Sequence, residues 1–254
     1  MHALLIDTTK CIGCGSCMAA CREQNKLPET DAADLSDKQF TIVKKAVAKG
    51  GEVNYRRLCM HCQDPTCASV CPVGALRKTA AGPVVYDEAK CIGCRYCIQA
   101  CPFSVPRYEW SSMTPRVRKC VFCVDRLAAG KPNACAEACP VGATIAGDRD
   151  ALLQEARERL KAEPSKYLPK IYGEHDAGGT SVLYLSAIPF EQFGLPANLP
   201  AEPLPLLTFR VLSKIPSFVA AGGPVLAGLW WLTQRKAQVA RVEKLELARK
   251  GAKS

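Results

Sequence analysis

The chain has 254 residues, of which 16 are cysteine, and a formal net charge of +10 at pH 7. A positive balance of this size usually indicates nucleic acid or acidic partners. However, seven basic residues lie beyond residue 234 and no basic stretch alternates with aromatic residues, so we expect no nucleic-acid binding. The sequence has no glycine-rich phosphate loop, flavin motif or catalytic triad, and we expect substrate chemistry to take place in another chain.

The first predicted elements lead into cysteine-rich loops. Residues 4–7 and 83–87 predict short strands, each ending shortly before a cysteine. Residues 22–55 contain no cysteine and are expected to form an insertion with a helical or extended stretch around residues 40–49.

The sixteen cysteines fall into four runs. The first and third read C-x2-C-x2-C-x3-C, the second C-x2-C-x4-C-x3-C and the fourth C-x2-C-x11-C-x3-C. In order, the runs are Cys11, Cys14, Cys17 and Cys21; Cys59, Cys62, Cys67 and Cys71; Cys91, Cys94, Cys97 and Cys101; Cys120, Cys123, Cys135 and Cys139. This is the spacing of bacterial-type ferredoxin ligands. We therefore expect four [4Fe–4S] clusters, with all sixteen cysteines as ligands, and a role in conducting electrons.

Two other uses of cysteine fit this pattern less well. Structural zinc sites pair two C-x2-C arms across a longer spacer, and disulfide frameworks belong mainly to small secreted domains. Gly13 and Gly93 lie inside two of the loops, where a bulky side chain would crowd a cluster. His61, between Cys59 and Cys62, is expected to be an ordinary loop residue rather than a cluster contact. Without iron, we expect the domain not to fold.

The crossover rule predicts how the runs are paired. In a ferredoxin unit, each of two motifs lends its last cysteine to the cluster of the other. The second and third runs are neighbours and form one unit, and the first and fourth then pair around it. The ligand sets are Cys11, Cys14, Cys17 and Cys139; Cys120, Cys123, Cys135 and Cys21; Cys59, Cys62, Cys67 and Cys101; Cys91, Cys94, Cys97 and Cys71. The alternative is a tandem arrangement, first run with second and third with fourth.

Beyond the last cysteine, the sequence predicts a helix, an extended segment and a membrane span. Residues 150–163 have helical spacing, with Asp150 as the expected N-cap. Residues 164–210 are rich in proline and glycine and are expected to wrap the protein surface or a partner subunit. Residues 215–233 are nineteen positions without a charge, and about 20 apolar residues span a bilayer core. A buried helix of a soluble domain is the alternative.

The charges after this span predict its orientation. Residues 235–254 carry seven basic and two acidic residues, so the positive-inside rule puts this tail in the cytoplasm and the cysteine-rich domain in the periplasm. Trp230 and Trp231 lie near one end of the span, as interfacial aromatic residues do. We expect the tail to be a helix near anionic lipid; a solvated charged tail is the alternative.

Four stretches of the sequence carry a resemblance to a known family. They are residues 11–21, C-M-H-C-Q-D-P-T-C-A-S-V-C-P at 59–72, C-I-G-C-R-Y-C-I-Q-A-C-P-F at 91–103 and K-C-V-F-C-V-D-R at 119–126. On these motifs the chain resembles the four-cluster ferredoxin-type iron–sulfur (beta) subunits of membrane-bound respiratory oxidoreductases. The resemblance covers roughly residues 4–235 and favours the nested pairing. The stretch G-G-T-S-V-L-Y-L at 178–185 and the C-terminal membrane helix resemble both the formate dehydrogenase and the hydrogenase subunits. The eleven-residue gap in the fourth run is more similar to the formate dehydrogenase subunit.

The resemblance implies partners and a location. A large catalytic subunit would deliver electrons, either a molybdopterin formate dehydrogenase or, as the runner-up, a [NiFe] hydrogenase. A membrane cytochrome b or quinone-reducing subunit would accept them. The chain would be a non-catalytic electron-transfer subunit of the inner membrane, exported without a signal peptide of its own together with a signal-bearing partner. A signal peptide that has been cleaved, or a domain that faces the cytoplasm, are the alternatives. A structural anchor with non-conducting clusters, or direct quinone reduction at the helix, are the alternatives.

We thus predict an α+β fold of two nested bacterial-ferredoxin-like units in a pseudo-twofold relation, plus one C-terminal transmembrane helix. The predicted boundaries are 1–55 and 109–147 for the outer unit with its insertion, 56–108 for the inner unit, 148–210 for a helix and wrapping segment, 211–234 for the transmembrane helix and 235–254 for the basic tail.

Overall fold

The computed structural model describes residues 1–48 and 51–251. The chain divides into two compact units, Met1–Pro205 (the N-terminal unit) and Leu206–Ser254 (the C-terminal unit). The strands are β1 (His2–Asp7), β2 (Ile42–Ala48), β3 (Gly51–Arg57), β4 (Leu76–Lys78), β5 (Val84–Tyr86), β6 (Arg107–Tyr108), β7 (Val117–Arg118), β8 (Thr144–Asp148) and β9 (Val182–Leu185). The α-helices are α1 (Ser16–Gln24), α2 (Thr66–Ser69), α3 (Tyr96–Ala100), α4 (Val124–Ala128), α5 (Ala134–Glu137), α6 (Arg149–Ala162), α7 (Leu204–Leu212) and α8 (Ile215–Gly251). Single 3-10 turns occur at Glu88–Lys90, Asp176–Gly178 and Phe190–Phe193.

The central element of the N-terminal unit is β1, in a three-stranded sheet of order β8-β1-β9. Successive side chains of a strand point to opposite faces. Accordingly, Ala3 and Leu5 pack in a hydrophobic cluster with α6, and Leu4 and Ile6 pack in a second cluster on the other face. Both faces are therefore covered, which explains why β1 reads as a continuous apolar run. The strands predicted at residues 4–7 and 83–87 are confirmed as β1 and β5.

The segment expected to wrap the surface contributes a core strand instead. β9 pairs in parallel with β1, and all four of its residues are buried at 0–1% exposure. Proline and glycine residues lie on both sides of this strand, so the composition of residues 164–210 gives no indication of it. The expectation of a purely wrapping segment is therefore wrong for β9.

The predicted helix after the last cysteine is present, but its cap is a different residue. α6 begins at Arg149, and the Asp148 carboxylate accepts a hydrogen bond from the backbone N–H of Asp150 at 2.9 Å. Asp148 is extended and ends β8, so the helix starts directly at the end of the strand. The prediction of Asp150 as N-cap is wrong by two positions.

The insertion before the second cysteine run contains an antiparallel hairpin. β2 and β3 pair from Ile42↔Arg57 to Ala48↔Gly51. Residues 42–48 of the predicted stretch at 40–49 are thus extended, and Lys49 lies outside the described residues. β3 ends with Arg56 and Arg57, which lie next to the cysteine-rich loops.

The C-terminal unit contains one long helix. α8 has 37 residues, with Pro224 inside it, and at about 1.5 Å per residue it is longer than a bilayer core. Among the described residues, one helical stretch, Leu204–Leu245, is long and apolar enough to cross a membrane, with a mean hydropathy of 1.4 over an 18-residue window. The predicted span lies within it. The basic tail continues the helix to Gly251, and Lys253 lies outside the described residues.

Candidate iron–sulfur cluster sites

Each cysteine run opens with a loop that turns through the left-handed backbone region. The residue just before the second cysteine of each run has a positive φ: 74° at Gly13, 47° at His61, 69° at Gly93 and 61° at Phe122. Glycine adopts this conformation without steric cost. Space is also restricted at Gly93, where an added Cβ would lie 2.6 Å from the Pro115 carbonyl oxygen. The four loops therefore share a left-handed residue at this position.

Short helices follow these loops and carry further cysteines. α1 holds Cys17 and Cys21, and α5 holds Cys135; α2 holds Cys67, and α3 holds Cys97. α1 packs against α5, and α2 packs against α3. The first run thus lies beside the fourth, and the second run beside the third.

Two cavities bring distant cysteines together. The first cavity is lined by the three leading cysteines of the first run and the last cysteine of the fourth, namely Cys11, Cys14, Cys17 and Cys139. We call this group site A. The second is lined by Cys120, Cys123, Cys135 and Cys21, which we call site B.

Two further groups are recognised by the mutual influence of their thiols. Burial, and then the negative charges of Cys59, Cys101 and Cys67, raise the pKa of Cys62 well above its ordinary value. These four cysteines are site C. Burial, and then Cys94, Cys91 and Cys71, raise the pKa of Cys97 to about 11, and these four are site D.

The same influence reveals which sites are neighbours. Burial has the largest effect on the pKa of each of three thiols, Cys17, Cys120 and Cys67. In addition, Cys135 of site B raises the pKa of Cys17 of site A. Cys59 of site C likewise raises the pKa of Cys120 of site B. Cys97 of site D contributes to raising the pKa of Cys67 of site C to about 12. The four groups therefore follow one another in the order A, B, C, D.

The two terminal groups reach the protein surface. Cys14 of site A and Cys94 of site D are exposed, and the neighbouring Ile12 and Ile92 are 61% and 65% exposed. Sites B and C contain mostly buried or half-buried cysteines. Redox partners can thus approach the series at either end, while its middle is shielded from water.

The donor set fits iron–sulfur clusters. All sixteen cysteines are free thiols. Within residues 1–48 and 51–251, no three Cys, His, Asp or Glu side chains converge closely enough to hold a single metal ion. Burial, followed by the charges of nearby Cys135 and other thiols, raises the pKa of Cys21 to about 12. Buried thiolates grouped in this way need a positively charged centre, which cluster iron supplies; a bound cluster of this type exchanges one electron at a time.

His61 is more than a loop residue in this structure. Its side chain is 0% exposed, and Nδ1 accepts a hydrogen bond from the Val84 N–H at 3.0 Å. Its ring packs on Phe122 at 4.4 Å, so the corresponding residues of the site B and site C loops touch. Burial, followed by the charges of Lys119 and Lys78, holds its pKa well below the ordinary value, and the ring is neutral.

Sequence reasoning missed three cations near the cysteines, of which Arg56 and Lys119 are buried and Lys78 is half-buried. The Lys119 ammonium donates to the Val84 and Cys120 carbonyls, at 2.7 and 2.9 Å. The Lys78 ammonium donates to the Cys62 carbonyl at 2.8 Å. Arg56 lines both the site A and the site B cavity. Nothing in the local sequence distinguishes these residues from surface cations, because their burial depends on strand register.

Comparison with known proteins agrees with this chemistry. Two family models, each of a 4Fe-4S dicluster domain, match residues 10–75 and 53–149. The hydrogenase-2 operon protein HybA of Escherichia coli O157:H7 is 35% identical over 236 residues, covering 76% of this chain and 72% of the relative. The chain belongs to the ferredoxin-type iron–sulfur subunits of respiratory oxidoreductases. This confirms the family expected from the motifs.

Two further relatives match to a similar extent. The nitrate-inducible formate dehydrogenase iron–sulfur subunit of Escherichia coli K12 is 37% identical over 200 residues, covering 72% of this chain and 67% of the relative. A protein of Nitratidesulfovibrio vulgaris is 38% identical over 259 residues, covering 96% of this chain and 70% of the relative. The resemblance to formate dehydrogenase subunits is therefore matched by an equally extensive one to a hydrogenase protein.

Proposed function

We propose that this chain conducts electrons along four [4Fe–4S] clusters, one at each of sites A to D, between a catalytic subunit and a membrane partner. The observation that carries the proposal is the spatial series of four cysteine groups with both ends at the surface. A cluster that only stabilised the fold would need neither a neighbouring cluster nor an exposed end. A series of this kind would let single electrons pass from one cluster to the next.

The nested ligand sets are part of this proposal. Site A combines the three leading cysteines of the first run with Cys139, which lies 118 positions after Cys21. The packing of α1 on α5 supports this pairing. Likewise, the packing of α2 on α3 supports the exchange of Cys71 and Cys101 between the second and third runs. A tandem arrangement would instead require the first run to lie beside the second.

Paired substitutions distinguish the two arrangements. In the nested arrangement Cys14 and Cys139 serve one cluster, so C14S/C139S alters one of four cluster signals in electron paramagnetic resonance, while C14S/C71S alters two. In the tandem arrangement, Cys14 shares a cluster with Cys71, and these outcomes are exchanged. Two altered signals in C14S/C139S and one in C14S/C71S would overturn the ligand sets.

The catalytic partner is proposed to oxidise formate at a molybdenum or tungsten pterin centre. The formate dehydrogenase relatives support this choice. A [NiFe] hydrogenase is the second candidate, and the similarity to HybA favours it. Purification of the complex from native membranes in mild detergent, with metal analysis, separates the two. Molybdenum or tungsten supports the first candidate and nickel the second; isolation of the chain alone contradicts both.

The membrane partner and orientation follow from the C-terminal unit. We propose that α8 crosses the inner membrane with its basic end in the cytoplasm and the N-terminal unit in the periplasm, next to a cytochrome b or quinone-reducing subunit. Electron transfer is tested in the purified complex by adding the physiological donor. Reduction of all clusters on the timescale of turnover is expected, whereas clusters that remain oxidised would indicate a purely structural role.

A further inference from the structure

Arg56 is a buried cation between two of the cysteine groups. It lies on β3 directly across from Val43 of β2, and its exposed fraction is 3%. Its Nε donates to Thr41 Oγ1 at 2.7 Å and its Nη1 to Thr144 Oγ1 at 3.4 Å. Both acceptors are neutral hydroxyls, so these bonds orient the guanidinium and leave its positive charge unbalanced.

The acidic groups that face this guanidinium are thiols. Among the residues that the structure describes, Arg56 forms no ion pair with a carboxylate. It lines both cavities. It shares the site A cavity with Cys17 and the site B cavity with Cys135. Cys17 belongs to site A and Cys135 to site B.

An unpaired buried charge is costly, and arginine does not deprotonate in proteins. Burial of the Arg56 charge is therefore tolerated only if a negative group lies beside it. The other cations near the sites differ, because the ammonium groups of Lys78 and Lys119 are each bound to backbone carbonyls. Of Arg56, Lys78 and Lys119, only Arg56 lies beside the cysteines of two sites.

We propose that Arg56 is the shared counter-charge of the clusters at sites A and B and raises the reduction potential of both. This inference depends on the proposed function, because it requires clusters at these two sites. Reduction adds one electron and hence one negative charge to a cluster, so a fixed positive charge favours the reduced form. Net charge and contacts around the ligands are known determinants of cluster potential. Arg56 thus acts on the potentials as a positioning residue and exchanges no electron itself.

The test is a redox titration of the intact, cluster-loaded chain, followed by electron paramagnetic resonance. In Arg56→Gln we expect the equilibrium constant for reduction at sites A and B to fall about tenfold each, which is 59 mV for a one-electron couple. Arg56→Lys should keep most of the wild-type potential. Arg57→Gln is the matched control, because Arg57 is paired with Asp34 at 3.5 Å. Four loaded clusters with unchanged potentials in Arg56→Gln would overturn the inference.

A second pair of variants keeps the test decisive if Arg56→Gln does not load its clusters. Val43 is half-buried on the same strand pair and lines the site A cavity, so Val43→Glu brings a carboxylate towards the guanidinium while Arg56 stays in place. Val43→Gln is its neutral control. Lower potentials at sites A and B in Val43→Glu than in Val43→Gln support the inference, and equal potentials overturn it. By contrast, a wild-type chain with fewer than four clusters would contradict the proposed function itself.

Discussion

Shortening Leu183 to alanine should destabilise the N-terminal unit by about 3 kcal/mol. Leu183 lies in β9, is 0% exposed and faces the hydrophobic cluster shared with α6. That cluster contains no cysteine. The substitution therefore probes the packing of β9 without changing a cluster ligand.

The magnitude follows from the atoms removed. Leu183→Ala deletes three carbons, and about 0.8 kcal/mol per buried methylene gives a transfer cost of about 2.4 kcal/mol. A residual cavity adds to this cost, since the neighbouring strand and helix are held by their own contacts, and buried Leu→Ala substitutions cost about 2–5 kcal/mol in total. If the contact is already lost in the transition state for unfolding, 3 kcal/mol accelerates unfolding roughly 150-fold.

Unfolding is measured as a rate, because cluster loss makes it irreversible. The protein is transferred anaerobically into guanidinium, and loss of the visible cluster absorbance is followed together with tyrosine emission. Val47→Ala is the control, since Val47 is 74% exposed on the β2–β3 hairpin and exposed substitutions change stability by only about 0.5 kcal/mol. Similar unfolding rates for the two variants would refute the assignment of β9 to the core.

Three further outcomes are expected. Tyr184→Phe should cost about 1–3 kcal/mol, because it leaves the buried Arg56 carbonyl without the hydroxyl that donates to it at 2.6 Å; the same unfolding rates test this. Asp148→Ala should lower the melting temperature more than Asp150→Ala, since only the Asp148 carboxylate caps α6; equal melting temperatures would contradict the cap. Because the pKa of Cys21 is raised to about 12 by burial and neighbouring thiols, iron binding must displace protons, and cluster reconstitution should improve between about pH 6.5 and pH 8.5; a yield independent of pH would argue against buried, protonated ligands in the iron-free chain.

The cysteine spacing alone was enough to identify the chemistry. In the first and third runs, three cysteines within seven residues can supply three of the four ligands of a cluster, so most of such a site is visible in the local sequence. Gly13 and Gly93 were singled out because a bulky side chain there would crowd a cluster, and the structure shows that both also have a left-handed backbone. His61 and Phe122 adopt the same conformation without glycine, and their mutual packing, which involves residues 61 positions apart, had no sequence signal.

The membrane segment and the first strand could also be predicted from sequence. An uncharged run of nineteen residues and a continuous apolar strand are properties of consecutive residues. β9 could not be predicted, because four apolar residues between proline- and glycine-rich stretches become a strand only through pairing with β1, about 178 positions earlier.

The sequence by itself thus identified the candidate iron ligands and one apolar segment long enough to span a membrane. Tertiary structure decided which distant cysteines share a cavity, the order A to D, and the burial of Arg56. The physical reason is register: neighbouring strand residues point to opposite faces, so Arg56 faces the cysteines while the adjacent Arg57 pairs with Asp34. Two consecutive arginines are equivalent in the sequence, and only the pairing of β2 with β3 makes them different.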